Sequence, residues 1–389
     1  MLGFVRASTV AKAQSIADLR DLARKRLPRA VFDFFDGGAE DEQTLAENRA
    51  AFVRTKLIPR VLNDVSTVDL STTLLGAKIA LPICVGPTGA AGFGGHGTDV
   101  NIARAAAANG IPYALSTSAT ASIERIKENA PGRLWFQVYV LKQRDFTMGL
   151  IQRAQIAGYE AIMVTVDLAV GGKRERDLRN HFGIPFAYTP KNVCDFASRP
   201  FWALPMLKKG TPQFENLAGF VPQGANASQV GSSVGRNYDP SFDWDALKAM
   251  RDKWPRKLIV KGVSHPQDAE RLAAMGVDCV IVSNHGGRQL DGAIAALDAL
   301  PAVARAVNGK AEIIVDGGVR RGGDVVKALA LGAKAVIVGR ATLYGACAGG
   351  EAGAKKALAI LTDELRRTMQ LCGVTRIDRI GPHLLATRP

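Results

Sequence analysis

The sequence predicts a closed (β/α)8 TIM barrel with an N-terminal helical extension and a long insertion after the fourth strand. Three observations carry that expectation: eight short apolar runs, helical stretches behind most of them, and polar groups gathered at one end of the runs. The runs are LPICVGPTG (81–89), IPYALSTS (111–118), LWFQVYV (134–140), AIMVTVD (161–167), KLIVKGV (257–263), CVIVSNH (279–285), EIIVDGG (312–318) and AVIVGR (335–340). They are nearly continuous in apolar residues, as strands buried on both faces must be.

TDVNIARAAAANG (98–110), HPQDAERLAAMG (265–276) and GGDVVKALALG (322–332) read as helices, and each ends on glycine, a helix-stop signal. A doubly wound open sheet satisfies the same alternation and is the structural alternative. The chain reads as one domain over 1–389, with the extension at 1–80 and barrel segments at 81–167 and 257–375. The extension holds at least one helix around ADLRDLARKRLPRAVFDFFDGG. Residues 168–256 are far too many for an ordinary crossover and read as an insertion at the top of the barrel, where loops build sites and lids.

Composition narrows the classes. A hydrophobic fraction of 47% supports a real core and argues against disorder. The five cysteines, Cys84, Cys194, Cys279, Cys347 and Cys372, include no CxxC pair, and an odd count fits reduced thiols. No uncharged apolar run approaches a membrane span, and the opening MLGFVRASTVAKAQ lacks a secretory apolar region, so a cytoplasmic location is expected. The formal charge of +14 fits acidic lipid, a phosphorylated cofactor or anionic substrates; without one long basic block, nucleic acid is not expected.

Barrel enzymes place chemistry at the C-terminal ends of their strands. Those ends carry Thr88, Ser116, Gln137, Tyr139, Thr165, Asp167, Lys261, Ser283, His285, Arg288, Asp316 and Arg340. Singly, each could cap a helix or pair with a neighbour; their gathering at one end is what asks for a function. The last two runs lead into DGGVRRGGD (316–324) and GR (339–340). Glycine-rich turns before helix N-termini present backbone N–H groups to an anion, so Gly317, Gly318, Gly339, Arg320 and Arg340 mark a phosphate cradle. In SNHGGRQLD (283–291), His285 suits a proton acceptor and Arg288 suits a carboxylate. Asp167 is placed to orient His285 and stabilise its imidazolium. No metal site is expected.

SNHGGRQLD, DGGVRRGGDVVKALALGA, FQVYV, VTVD, IVKG and GAEDEQTLAENRAAF together resemble the FMN-dependent 2-hydroxy acid dehydrogenase and oxidase family, in order from about residue 15 to 375. The resemblance implies FMN as cofactor and oxidation of an L-2-hydroxy acid, lactate- or mandelate-like, to the 2-oxo acid. It implies His285 as base, Asp167 as its support, and Arg288 and Arg174 as carboxylate ligands, with Tyr139 bonding the substrate. Lys261 would sit by the reducible edge of the flavin, where a cation stabilises developing negative charge. Thr88, Gly89, Ser116, Gln137, Thr165 and Ser283 would line the ring and ribityl chain, and Asp316, Arg320, Gly339 and Arg340 would hold the ribityl and phosphate. A homotetramer is also implied.

One departure stands in VFDFFDGG. Phe34 occupies a position where the family commonly has a tyrosine contacting the substrate carboxylate, so a hydrogen bond worth about 1.5–3 kcal/mol is expected to be missing. Ser118 stands where glycolate-oxidising members carry a bulky tryptophan, and Gly89 where they carry alanine; both widen the space for a substrate side chain. VGPTG, RERDLRN and GRATLYG lie nearest the mandelate-oxidising members.

Within the insertion, DFASRPFWALPMLKKGTPQFENLAGF (195–220) joins Phe196, Phe201, Trp202, Leu204 and Met206 to Lys208 and Lys209. Such a segment can lie on an anionic membrane, on the inner face, and membrane-associated members anchor through this loop; the alternative is a lid packed on its own barrel. Membrane attachment favours a quinone as electron acceptor, with oxygen, reduced to peroxide, as the alternative. An inosine-monophosphate-dehydrogenase-like barrel would need a catalytic cysteine at a strand end, and none stands there. A non-enzymatic ligand-binding barrel would not need His285, Asp167 and Arg288 together.

Overall fold

The computed structural model describes residues 7–183, 189–220 and 237–386. A small antiparallel hairpin, β1 (Thr72–Leu74) and β2 (Ala77–Ile79), precedes the barrel. Eight parallel strands then close in chain order: β3 (Ile83–Val85), β4 (Tyr113–Ser116), β5 (Leu134–Val138), β6 (Ala161–Thr165), β7 (Lys257–Val263), β8 (Cys279–Val282), β9 (Glu312–Asp316) and β10 (Ala335–Val338). Closure is made by β10 on β3, with Val336 opposite Ile83 and Val338 opposite Val85.

The strands are mostly apolar because both faces are covered, with polar residues such as Gln137, Thr165, Lys261 and Asp316 toward their C-terminal ends. Cys279 and Ile281 point inward with Cys84, Trp135, Met163, Ile259 and Ile314, filling the barrel, while Val280 and Val282 pack outward against helices. Leu74 and Ile79 of the hairpin join the interior cluster and close its N-terminal end. Strand interdigitation of this kind makes a packed core, not a pore.

Four helices precede the barrel: α1 (Ala7–Ala11), α2 (Ile16–Arg26), α3 (Arg29–Asp36) and α4 (Gln43–Arg54). Ser15 and Asp18 form a reciprocal capping box that starts α2. The outer ring holds α5 (Thr98–Ala108), α6 (Ile123–Asn129) and α7 (Arg144–Ile156). The insertion contributes α8 (Glu175–Arg179), α9 (Pro190–Ala197) and α10 (Pro200–Lys209), and then α11 (Trp244–Lys253). That last helix leads into β7, so the insertion contains the fourth outer helix as well as loop. The ring is completed by α12 (Pro266–Ala274), α13 (Ala296–Val307), α14 (Gly322–Ala330) and α15 (Arg340–Leu371); α15 kinks at Gly349 and Gly350.

Candidate active site

The C-terminal ends of the barrel strands open on a cleft of about 550 Å³. Phe34, Thr88, Gly89, Ser118, Tyr139, Thr165, Arg174, Lys261, His285, Arg288, Asp316, Gly317, Gly318, Arg320, Gly339 and Arg340 all line it. Ser116, Gln137 and Ser283, read as cofactor-lining, lie one layer behind. The Ser116 hydroxyl donates to Gln137 Oε1 at 3.2 Å, and Gln137 Nε2 donates to Thr165 Oγ1 at 2.9 Å. Ser283 Oγ accepts from Lys261 Nζ at 3.0 Å and donates to Asp316 Oδ2 at 2.9 Å. These three are buried directly against the lining residues and hold them in place.

The turn after β8 is held in an unusual backbone path. His285, Gly286 and Gly287 have φ of 58°, 63° and 74°, and a Cβ on Gly287 would fall 2.6 Å from the Leu45 backbone nitrogen. The two glycines are required there, and the left-handed histidine is a strained residue fixed by its surroundings. Its Nδ1 lies 3.1 Å from Asp167 Oδ1 and its Nε2 3.3 Å from the Tyr139 hydroxyl. With Nδ1–H donated to Asp167, Nε2 is the acceptor that faces the cleft.

Burial pulls the His285 imidazole below its ordinary value, Asp167 opposes, and Lys261 and Arg288 reinforce the downward pull. The ring is thus neutral near pH 7 and able to take a proton. Burial pushes the Asp167 carboxyl up, but His285 and Lys261 outweigh it and keep it below the usual range. For Lys261 burial acts downward, and Asp316 (3.0 Å away) and Asp167 more than restore the charge.

The arginines are short of counter-charge. Arg288 Nη1 donates to the carbonyls of Phe34 (2.8 Å) and Gly37 (2.9 Å). Burial, then Arg174 and Arg340, pulls this guanidinium down to about 9. Arg174 pairs with Asp177 at 3.3 Å. Both guanidiniums lie over the Phe34 ring, at 5.5 Å and 5.2 Å, and Phe34 stacks on Phe182 at 4.6 Å. Arg320 is likewise lowered by burial and by Arg340 and Arg49. Arg340 donates to three carbonyls, those of Phe35, Gly286 and Gly37, so it ties α3 to the β8 turn while its charge lies in the cleft wall.

The donor set fits a phosphorylated cofactor. The half-buried guanidiniums of Arg320 and Arg340 can pair with a bound anion, and a Cβ on Gly339 would meet nothing within 4 Å, leaving room for one. The Ser118 hydroxyl and Asp167 Oδ2 are buried without partners. Sequence reasoning missed Tyr238, whose ring packs 5.1 Å from Tyr139, and Phe182, Asp177 and Phe214, all in the cleft wall. They come from the insertion, where no periodic pattern marks a residue as facing inward.

A barrel that sets an anion cradle beside a carboxylate-supported histidine and under-compensated arginines suits a phosphorylated redox cofactor next to a carboxylate substrate. That is the construction of the FMN-dependent 2-hydroxy acid oxidoreductases. The chain belongs to this family: the model described as FMN-dependent dehydrogenase matches residues 23–387. It is 43% identical over 372 residues to (S)-mandelate dehydrogenase of Pseudomonas putida, covering 95% of this chain and 93% of that one. It is 42% identical over 377 residues to L-lactate dehydrogenase of Caulobacter vibrioides, covering 96% and 98%. Among solved structures, the monotopic membrane protein (S)-mandelate dehydrogenase superposes with a TM-score of 0.92 at 41% identity, covering 97% of this chain and 100% of that one.

Proposed function

We propose that the protein oxidises an L-2-hydroxy acid with a lactate- or mandelate-like side chain to the 2-oxo acid and delivers the electrons to a quinone. The carrying observation is His285, whose Nε2 lies 3.3 Å from the Tyr139 hydroxyl with Asp167 behind Nδ1 and Arg288 beside it. Arg288 and Arg174 bind the carboxylate, which supplies the anion their environment lacks. Binding there sets the 2-hydroxyl against Nε2, and His285 removes its proton while Asp167 stabilises the imidazolium. FMN, when bound, supplies the two-electron acceptor.

Thr88, Gly89, Thr165 and Lys261 are the residues to flank its ring; Asp316, Gly317, Gly318, Arg320, Gly339 and Arg340 are those to hold its ribityl phosphate. The Lys261 ammonium, kept charged by Asp316, stabilises negative charge that develops nearby. Ser118 and Gly89 are both small and both line the cleft, which favours a large substrate side chain; a Cβ on Gly89 would already touch Ser118, at 3.4 Å from its Cβ. Attachment to the inner face of the membrane through residues 195–220 is supported by the monotopic neighbour and by the outward face of α10, where Leu204 and Leu207 are exposed beside Lys208 and Lys209.

The test is anaerobic. The purified protein is expected to be yellow, to release FMN and not FAD, and to bleach with one L-2-hydroxy acid. His285→Asn is expected to keep its FMN and to slow bleaching by roughly 10²- to 10⁴-fold. A near-normal rate in that variant removes His285 from the base role. Stoichiometric peroxide in air, with no reduction of added quinone, would assign oxygen as the acceptor.

A further inference from the structure

Behind the active site lies a second cavity, of about 260 Å³. It sits outside the barrel where β7 meets α11 and α12. Its floor is Leu247, Val260, Val263 and Leu272, all buried, and its sides are Phe242 and Trp244. Val166 and Ala169 stand at its mouth and are exposed. Tyr139, Thr165, Leu168 and Tyr238 line both this cavity and the active-site cleft, so the two spaces share a wall whose rings are Tyr139 and Tyr238.

The chemistry of the walls selects an occupant. A dry apolar cavity of about 150 Å³ already accommodates benzene, so this one has room for a larger ring. Its inner polar groups are engaged with protein. Asp239 accepts from Arg144 at 2.7 Å, and Thr165 Oγ1 from Gln137 at 2.9 Å. Ser264 donates to the Ser283 carbonyl at 3.4 Å. Asp243 caps α11 through the Ala246 nitrogen, and Asp268 stands exposed at the solvent edge. Arg271, near the rim, lies 4.2 Å over the Trp244 ring. The interior therefore offers an ion no counter-charge, and it offers a ring aromatic and aliphatic surfaces.

We propose that this cavity is a binding site for a neutral, ring-sized apolar molecule, and that its occupancy is felt at the active site through Tyr139. The route is short. One side of the shared wall is the ligand; on the other, the Tyr139 ring stacks 6.2 Å from His285 and its hydroxyl meets Nε2. A ligand against Tyr139 and Tyr238 restricts the group that positions the base. The carboxylate substrate does not enter, because the arginines that bind it are in the other cleft.

The probe is 5-fluoroindole, titrated into the FMN-loaded protein and followed by ¹⁹F NMR. Saturable binding is expected with a dissociation constant below about 1 mM, ordinary for a ligand of this size. Saturating hydroxy acid should change that constant less than about threefold, while Ala169→Phe, an exposed substitution at the mouth, should weaken it at least tenfold. With fluoroindole bound, kcat should change at unaltered KM in the wild-type protein and not in Ala169→Phe. Competitive displacement by hydroxy acid, equal binding to Ala169→Phe, or no saturation would overturn the site. An unchanged kcat at full occupancy would overturn the coupling. The binding measurement does not depend on which acid is the substrate, so its failure is separate from failure of the proposed reaction.

Discussion

Phe34 shows what one ring atom can decide. Its aromatic face lies within 5.5 Å and 5.2 Å of the guanidiniums of Arg174 and Arg288, close enough for cation–π attraction of about 0.5–2 kcal/mol. The ring thus steadies the two cations that await a carboxylate, but it donates no hydrogen bond to that carboxylate. Phe34→Tyr adds the donor at the cleft wall. For lactate or mandelate, KM is expected to fall about three- to tenfold with little change in kcat, the share of one hydrogen bond to a charged group left after partial compensation. Steady-state kinetics on the two proteins decides it; an unchanged or higher KM would mean that the stack on Phe182 already aims the ring so that a hydroxyl misses the substrate.

At the scale of the element, β7 carries a feature that no neighbouring strand needs. Its register shifts between Lys261 and Val263, and Gly262 between them has φ of 102°. A Cβ there would fall 2.5 Å from Asp167 Cγ. The bulge gives the carboxyl its place beside His285, so Gly262 is a positioning residue. Gly262→Ala is expected to displace Asp167. Asp167 raises the His285 pKa against burial, so losing it should move the acid limb of kcat/KM, already below the ordinary histidine value, to still lower pH, and lower the plateau because the imidazolium is less stabilised. A plateau reduced with no movement of the limb would assign the effect to general distortion. The strand that carries this bulge was legible beforehand as an apolar run ending in KGV, as were all eight barrel strands, because burial on both faces leaves an uninterrupted signal. The depth of a polar residue was not: Ser116, Gln137 and Ser283 are almost fully buried, deeper than Thr165, since how far a residue near the end of a strand reaches into the cleft depends on a stagger that one sequence does not reveal. Helices α8–α10 and Tyr238 were illegible for a different reason. They belong to an insertion of short helices broken by Pro190, Pro200 and Pro205, in which apolar residues occur on buried and exposed faces alike, so no single apolar stripe marks the inward side.

Across the whole molecule, the charge of +14 and the two-faced helix α10 bear on one question, whether residues 195–220 form a lid or an anchor. Trp202 and Met206 are buried, with Trp202 Nε1 donating to the Phe93 carbonyl at 2.7 Å, so one face of α10 is fastened to the barrel. Phe201, Leu204 and Leu207 are 45%, 52% and 81% exposed, and they recur on the opposite face, beside Lys208 and Lys209. The two readings are therefore compatible: the inward face covers the barrel and the outward one offers apolar surface and charge to lipid. Replacing the whole segment would uncover the barrel, so the informative variants alter the outward face alone. Lys208→Glu with Lys209→Glu should weaken the salt-sensitive part of binding to anionic vesicles, by at least about 1 kcal/mol for each lysine lost. Leu204→Ser with Leu207→Ser should remove the salt-resistant part, up to roughly 1.5–3 kcal/mol for each side chain fully buried. Both pairs should leave dye-linked oxidation of the hydroxy acid intact while quinone-linked turnover falls, because only the second needs a membrane-dissolved acceptor. Vesicle sedimentation at low and high salt measures the binding. If the wild-type protein stays in the supernatant with anionic vesicles at low salt, α10 is a lid whose outer face meets something other than lipid.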